Sequence, residues 1–512
     1  MKSEDSHGER TSWLFFFVTC MMEIKLLCVS LHAKYDERYK TNEKMKKVIV
    51  LLMMLVVRAT MHAQGLAVDN SKIVVLSDIH VMAPELLIKE GPAWTAYLDE
   101  ERRLQDYSKA LFDAMVTRLK DDIRPGLVLI TGDLTKDGET VSHEYVVAKL
   151  DELRAAGIHT LVVPGNHDYG PNGNAVYYDG SSTTAAAVAS TESFATMYAN
   201  YGYGASSERA GETLTYACEP IEGLVVIGID SGREGVLSEA TLSWVCNKAQ
   251  TSQQQGKQVV AMMHYPLIPH FTGAETFSES VSVVDYARVR NTLADAGIQV
   301  IFTGHFHTTD IAKDYNADCS KSIIDVNTGS LISYPCHYRV VTLDQQLSAL
   351  NITTQSVAEI VPGDGFADIA KARLTTAART KVESKGLPFS MMASQIAAAF
   401  VYHAEGDEYD NTAAQALLGT LSPFLSGDYR MMAYSMLQDY SNYGDEKRQD
   451  RTPDLTLTIT MPTPTGIVSL QRDDHRHSAV DLQHLYDLHG VKAKSPSKGL
   501  YISNGRKVVI SR

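Results

Sequence analysis

Cysteine is scarce in this 512-residue chain: there are six, and Cys20 and Cys28 fall in the first 44 residues. The other four, Cys218, Cys246, Cys319 and Cys336, show no CxxC spacing, which argues against a thiolate zinc site. In an exported chain those four either pair as disulfides, in a connectivity that sequence does not choose, or stay as buried thiols. Basic residues are outnumbered, 47 Lys and Arg against 61 Asp and Glu, for a formal net charge of −14. That balance excludes general nucleic-acid binding, which needs a basic surface. It does not exclude a small phosphorylated substrate, because a local metal site can outweigh a global negative charge. Long apolar runs are also missing. The run Val48 to Val57 is ten residues long, too short to span a bilayer comfortably.

That run has another reading. Lys46 and Lys47 precede it and Ala63 follows it at a position suited to cleavage, so residues 45–63 read as a secretory signal peptide. A signal peptide belongs at the start of a chain. Met45 is therefore expected to be the true start, and residues 1–44 an extension from an upstream start codon. The alternative is a real extension with an apolar anchor at Trp13 to Cys20. No Cys follows the cleavage point, so a lipid anchor is not supported. The protein is expected to be exported, whether periplasmic, cell-surface or secreted.

Length and ordinary globular composition predict more than one structural unit. From Ser71 the hydrophobic period switches repeatedly between 2 and 3.6, which predicts βαβ units and an α/β core over 71–355. "KIVVLSDIH", "GLVLITGDLT", "HTLVVPGNHD", "LVVIGIDS", "QVVAMMHYP", "QVIFTGHFH" and "SIIDVNTGSL" read as strands buried on both faces. "DYSKALFDAMVTRLK" and "EYVVAKLDELRAAG" read as helices. A polar insertion follows Tyr169. Residues 356–450 are Ala-rich and read as helices. Residues 451–512 read as a β-rich tail that opens with the alternating run "DLTLTIT".

Five strand exits carry polar residues of one chemical kind. They are Asp78 with His80 in "SDIH"; Asp133 in "TGDLT"; Asn166, His167 and Asp168 in "GNHD"; His264 in "MMHYP"; and His305 with His307 in "GHFH". Ligand sites of open α/β folds lie beyond the carboxyl ends of strands, so five segments aim these groups at one region. Each exit alone is weak evidence, since a lone His or an Asn after Gly is usually a turn or surface residue. Together, in one order, they are not. In DxH and HxH, alternation along an extended strand is expected to put both side chains on one face. Gly165 is expected to allow the sharp exit of its strand.

With these motifs in hand, the chain resembles the calcineurin-like metallophosphoesterase superfamily. The resemblance covers roughly Ile73 to Asp344 and includes DxH, GD, GNHD, a lone His and GHxH in the family's order. It implies a four-layer α/β/β/α sandwich, extended here by the helical region and the short β tail. It implies two divalent transition metal ions, one held by Asp78, His80 and His307, the other by Asn166, His264 and His305, with Asp133 bridging. His167 would meet the phosphate or protonate the leaving group, and Asp168 would orient His167. Neutral imidazoles and an amide, with only two carboxylates, leave such a site positive enough for a phosphate. Metal binding brings the pKa of water to roughly 7 and makes hydroxide available for attack. Mixed N and O ligands suit Mn, Fe, Zn or Co over Ca and Mg.

The purple acid phosphatase branch has Tyr at the position of Lys136 and Gly at that of His80, so a tyrosinate-iron site is not expected. DxH and "GDLTKDGETVSHEY" look like the cyclic-nucleotide phosphodiesterase-like branch. The expectation is phosphodiester hydrolysis, with a phosphomonoesterase as the alternative and an exported binding protein with a structural metal site as the rival from another class. Region 356–450 could instead dock a partner or glycan. His143 and His270 are candidate substrate or supporting contacts, or ordinary loop histidines. Tyr177, Tyr178 and Tyr201 either stack on a substrate ring or pack the insertion. His403, His475 and His477 receive no role. The ending "KGLYISNGRKVVISR" resembles sorting tails of the type IX export machinery, or is a small β-hairpin.

Overall fold

The computed structural model describes residues 67–273, 281–387, 389–439 and 451–461, and the backbone of the strands Val468–Leu470, Leu485–Tyr486, Gly499–Ser503 and Arg506–Ile510. The leader at 45–63, the extension 1–44, His475 and His477 lie outside the described residues. The chain is of mixed α/β class, as expected.

Three of the apolar runs form a parallel ladder because helices carry the chain back between them. Asp69–Leu76, Pro125–Ile130 and His159–Val162 lie side by side, linked through the helices Ser108–Arg118 and Thr140–Ala155. A parallel pair needs such a crossover. His337–Leu343, Ala349–Ser356 and Thr456–Thr460 extend the same sheet antiparallel on the other side of Asp69–Leu76. The run "DLTLTIT", grouped with the tail on sequence, is thus an edge strand of this sheet. Its Ile459 sits opposite Leu350 and belongs to the main core.

The second sheet has a parallel centre. Leu224–Ile229, Gln258–Met263, Val300–Thr303 and Ser322–Asn327 run the same way. Asp310–Tyr315 closes one edge, and Tyr216–Ile221 with Glu208–Arg209 the other. Alternation along these strands divides two cores. Leu224, Val226, Val260, Met262, Val300 and Phe302 pack with the first sheet. Val225, Ile227, Val259, Ala261 and Ile301 pack with Leu242 and Val245 of helix Glu239–Gln254 and with Val289 and Leu293 of helix Tyr286–Asp295.

Register places the exits. Leu76 pairs with Ile130, and Ile130 with Val162, so three strands of the first sheet end level. Met262 pairs with Phe302, so His264 and the His305 loop leave the second sheet together.

Helices Phe366–Ser384, Ala393–Glu405, Thr412–Leu421 and Gly427–Leu437 form the expected Ala-rich region. Phe366 and Ala370 enter the main core, and Leu418, Leu421, Met436 and Leu437 pack with Phe271. The tail's Gly499–Ser503 and Arg506–Ile510 pair as an antiparallel hairpin. Cys218, Cys246, Cys319 and Cys336 are all unpaired thiols. Among the described residues, no helix is long and apolar enough to cross a membrane.

Candidate metal centre

The five exits converge, but not as extended strands. Asp78, His80, Asp133, His305 and His307 all have positive φ, at 48°, 38°, 49°, 70° and 63°. Left-handed backbone is costly for any residue with a Cβ, and such strain concentrates at functional sites. The same-face argument for DxH and HxH is therefore corrected. These side chains meet because tight loops turn them inward, not because a pleat alternates.

Backbone bonds impose the loops. The amide of Asp78 donates to Gly132 O at 3.1 Å and that of His80 to Asp133 O at 2.9 Å. The amide of His305 donates to Asp78 Oδ2 at 2.9 Å, which ties the second sheet to the first. Gly165 is needed for a reason other than a sharp exit. A Cβ there would overlap Asp133 Oδ1 and crowd the Asp133 amide.

The side chains expected as ligands form two sets with Asp133 between them. In one, His307 Nε2 lies 3.2 Å from Asp78 Oδ1 and 3.2 Å from His80 Nε2. In the other, Asn166 Oδ1 lies 3.0 Å from both His264 Nε2 and His305 Nδ1. Asp133 Oδ2 stands 3.4 Å from His80 Nε2 and 3.3 Å from His264 Nε2. Donors around one ion at about 2.1 Å stand roughly 3.0–3.4 Å apart, so this spacing fits shared ions. Asp78 Oδ1 supplies a further test. It is buried without a hydrogen-bond partner, while Oδ2 accepts from Ser77 Oγ at 2.5 Å. A carboxylate oxygen left bare in a protein interior fits a metal.

The imidazoles are prepared in the same sense. His264 Nδ1 lies 2.9 Å from the carbonyl of Thr131, which can only accept, so the hydrogen sits on Nδ1 and Nε2 faces the cluster. Burial pulls His264 down, yet Asp133 overrides it and lifts the ring to about 9. Burial would raise Asp133, but His264, His167 and His80 hold it well below the ordinary carboxylate range. An ion binding here therefore displaces protons.

Residues 71–309 match the calcineurin-like phosphoesterase family. The match covers just under half of the chain, and over those residues the chain is similar to calcineurin-like phosphoesterases. The family is one of metal-dependent hydrolases with a dinuclear divalent centre, and the clusters Asp78, His80, Asp133, His307 and Asp133, His264, His305 could hold those ions. No curated protein sequence matches the chain. Among solved structures it is similar to purple acid phosphatase PPD1 from yellow lupin (Lupinus luteus) seeds, at 13% identity over 59% of this chain and 53% of that one, TM-score 0.39. The chain thus spans about half of that protein's length. It is also similar to sulfate thiohydrolase SoxB from Termus thermophilus in complex with glycerol, at 13% identity, 62% and 61% coverage and TM-score 0.28. A Vps29 single mutant from Entamoeba histolytica follows at 13% identity, 55% and 91% coverage and TM-score 0.21. Likeness this distant says nothing about what the chain acts on.

Beside the phosphoesterase clusters, the structure reassigns one partner. The Asp168 carboxylate makes no hydrogen bond or ion pair with the His167 ring. Its carboxylate accepts from the amides of Leu134 at 3.0 Å, Thr135 at 2.9 Å and Gly165 at 2.8 Å. It thereby clamps the GD loop to the GNHD loop. Burial, and then Asp133, raise it to about 6. The residue on His167 is Asp137, whose Oδ1 lies 2.9 Å from Nδ1. Lys136, fully buried, pairs with Asp137 and donates to Asn174 O at 2.8 Å.

Arg103 was also unforeseen. Its Nη1 lies 3.0 Å from His80 Nδ1, and its Nη2 donates to Glu101 Oε2 at 2.5 Å. A guanidinium only donates, so His80 Nδ1 accepts and the ring hydrogen is left on Nε2. An ion at Nε2 would need that hydrogen on Nδ1 instead, and Nδ1 could then no longer accept from Arg103.

His143 is a support residue. It is buried, held neutral by burial at about 4, and contacts the carbonyl of Asp168 at 2.7 Å. His270 lies outside the centre, near Asp310. Tyr201 is buried with its hydroxyl on Asp151 at 2.7 Å, so it packs the insertion. Tyr178 stacks edge-on to Trp94 at 5.0 Å. His403 pairs with Glu408.

Gly165→Ala should push Asp133 out of line. Elemental analysis is expected to show lost metal, and activity should fall by roughly 10²-fold, with the circular dichroism unchanged. Full metal content in this variant would mean that Asp133 is not held by that close approach.

Proposed function

We propose that the protein hydrolyses phosphoesters at a dinuclear metal centre, prefers phosphodiesters, and works outside the cytoplasm. The observation that carries the reading is a cavity of about 430 Å³ that has His167, Asp137 and Arg103 in its wall, beside the two ligand sets. The His167 side chain is 25% exposed, whereas Asp78, His80 and Asp133 are buried. Substrate in the cavity meets His167 first.

In this reading Asp78, His80 and His307 hold one ion and Asn166, His264 and His305 the other, with Asp133 common to both. When bound, the ions supply a hydroxide nucleophile near neutral pH and neutralise phosphoryl charge. The chain's own residues do the rest. Asp137 accepts from His167 Nδ1, which orients the ring and leaves Nε2 toward the cavity. Burial lowers the proton affinity of His167, but Asp133 and Asp137 outweigh it and raise it above the ordinary imidazole value. A protonated Nε2 is placed to give its proton to the leaving oxygen. Lys136 fixes Asp137 in turn.

Charge supports a diester. Besides the protonated His167, the cation lining the cavity is Arg103, and it is engaged by Glu101; Glu100, Glu101 and Asp137 line it too. An acidic wall with one neutralised cation favours a monoanionic diester over a dianionic monoester. Tyr97 and Tyr178 also line the cavity, packed with Trp94. The leader pattern at 45–63 supports action outside the cytoplasm, and the ending of the chain supports delivery by export machinery.

With Mn added, kcat/KM is expected to be higher for bis-p-nitrophenyl phosphate than for p-nitrophenyl phosphate; the opposite order would make the protein a monoesterase. His167→Ala should lower kcat by roughly 10²–10⁴ with both ions retained. Asp137→Asn should lower it by less, again with both ions retained, and loss of metal in either variant would make that residue a ligand instead.

A further inference from the structure

The set Asp78, His80 and His307 is braced from behind by two loops. One runs between the strands Ser322–Asn327 and His337–Leu343. Its Ser330 Oγ donates to the carbonyl of Asp78 at 2.8 Å, and its Ser333 Oγ lies 3.1 Å from His307 Nδ1. The other leads into the helix Ser108–Arg118, and its Gln105 Nε2 donates to the carbonyl of His80 at 2.8 Å. The loops are joined, because the amide of Leu104 donates to Ile332 O at 2.7 Å. Ser330, Ser333 and Gln105 are all buried. Partners of this kind fix the direction of a ligand, and losing one typically costs roughly 10–100-fold in metal affinity.

Both loops are held from outside by the helical region. Arg373, in the helix Phe366–Ser384, donates through Nη1 to Asp106 Oδ1 at 2.8 Å and through Nη2 to Asp106 Oδ2 at 3.0 Å. Its Nη1 also reaches Arg103 O at 3.3 Å. Glu405, which ends the helix Ala393–Glu405, accepts from Tyr334 Oη at 2.5 Å and from Lys371 Nζ at 2.8 Å. The ring of Tyr107 packs on Phe366 at 5.3 Å. Asp106 adjoins Gln105, and Tyr334 adjoins Ser333. The helices therefore grip each loop one residue away from its contact with a ligand. Ion pairs near the surface add little to stability. A two-pronged pair of guanidinium and carboxylate nevertheless fixes direction as well as distance.

The other set draws its supports from elsewhere. His264 Nδ1 lies on the Thr131 carbonyl, the ring of His305 packs on Tyr265 at 4.0 Å, and Arg233 Nε donates to Asn166 O at 3.4 Å. Phe306 meets Phe271 at 5.8 Å, and Phe271 packs with the helical region. That apolar contact is common to both sets, because Phe306 separates His305 from His307. The polar contacts of the helices fall on one set.

We propose that the helical region positions one half of the metal centre. Arg373 and Glu405 are positioning residues. They hold the two loops that brace Asp78, His80 and His307, and so set how tightly that set binds its ion. The set Asn166, His264 and His305 does not depend on them. The inference rests on the dinuclear reading above and gives the helices a part in it.

The test uses the whole chain, stripped with chelator, with manganese as the probe in equilibrium dialysis. Arg373→Ala combined with Tyr334→Phe removes both outer contacts and leaves every ligand in place. The combination is made in two backgrounds, Asn166→Ala, which spoils one set, and His307→Ala, which spoils the other. In Asn166→Ala it should weaken the remaining manganese by about 10-fold. In His307→Ala it should leave the affinity unmoved. A general loss of structure would weaken both alike. Asp106→Asn cuts the Arg373 pair from its other end and should repeat the result if Arg373→Ala fails to fold. Equal weakening in the two backgrounds, or none in Asn166→Ala, would overturn the proposal. Failure of the dinuclear reading would show separately, as fewer than two manganese ions bound by the wild type, and would take this inference with it.

Discussion

One carboxylate stands between two sets of ligands. Asp133 Oδ2 faces His80 on one side and His264 on the other at nearly equal distance. Much of the surrounding structure keeps that oxygen in place. Gly165 has no side chain because the Asp133 carboxylate passes over it. The amide of His167 donates to Asp133 Oδ1 at 2.9 Å, which leaves Oδ2 for the centre. Asp168 clamps the two loops together, and His143 supports the Asp168 backbone. The left-handed residues around Asp133 are strained, and they hold because the loops of two sheets brace one another.

A second chain of contacts serves the substrate side. Asn174, in the insertion, receives Lys136, Lys136 pairs with Asp137, and Asp137 holds His167. The insertion after GNHD therefore does more than fill space, because its backbone anchors the charge that orients His167. The same insertion supplies Tyr178 to the cavity wall. In the proposed mechanism, Lys136 is the link between the insertion and the aim of His167.

Much of this was legible in the sequence. The apolar runs located the strands because a strand buried on both faces needs nothing but apolar residues, and a level register brings their exits together. Which side chains would meet was readable because imidazoles, carboxylates and an amide in fixed order have few other uses. What failed was geometry. DxH looked like two residues on one face of a strand, yet Asp78 and His80 lie in left-handed loops whose shape depends on partners more than fifty residues away. Asp168 seemed the natural neighbour of His167, but its carboxylate turns back to three amides. Asp137 stood inside "GDLTKDG" with no mark to distinguish it, and Arg103 lay in no motif. Sequence gives adjacency along the chain, whereas both contacts are set by loops meeting in space. The edge strand Thr456–Thr460 was misplaced for the same reason, since its partner Ala349–Ser356 lies about a hundred residues earlier.

The central claim is that Asp133 joins two ions into one centre. Electron paramagnetic resonance of the chain loaded with manganese tests it directly. The account predicts an exchange-coupled dimanganese signal in the wild type that is absent in Asp133→Asn. Only uncoupled manganese in the wild type, or a coupled signal that survives in Asp133→Asn, would contradict it.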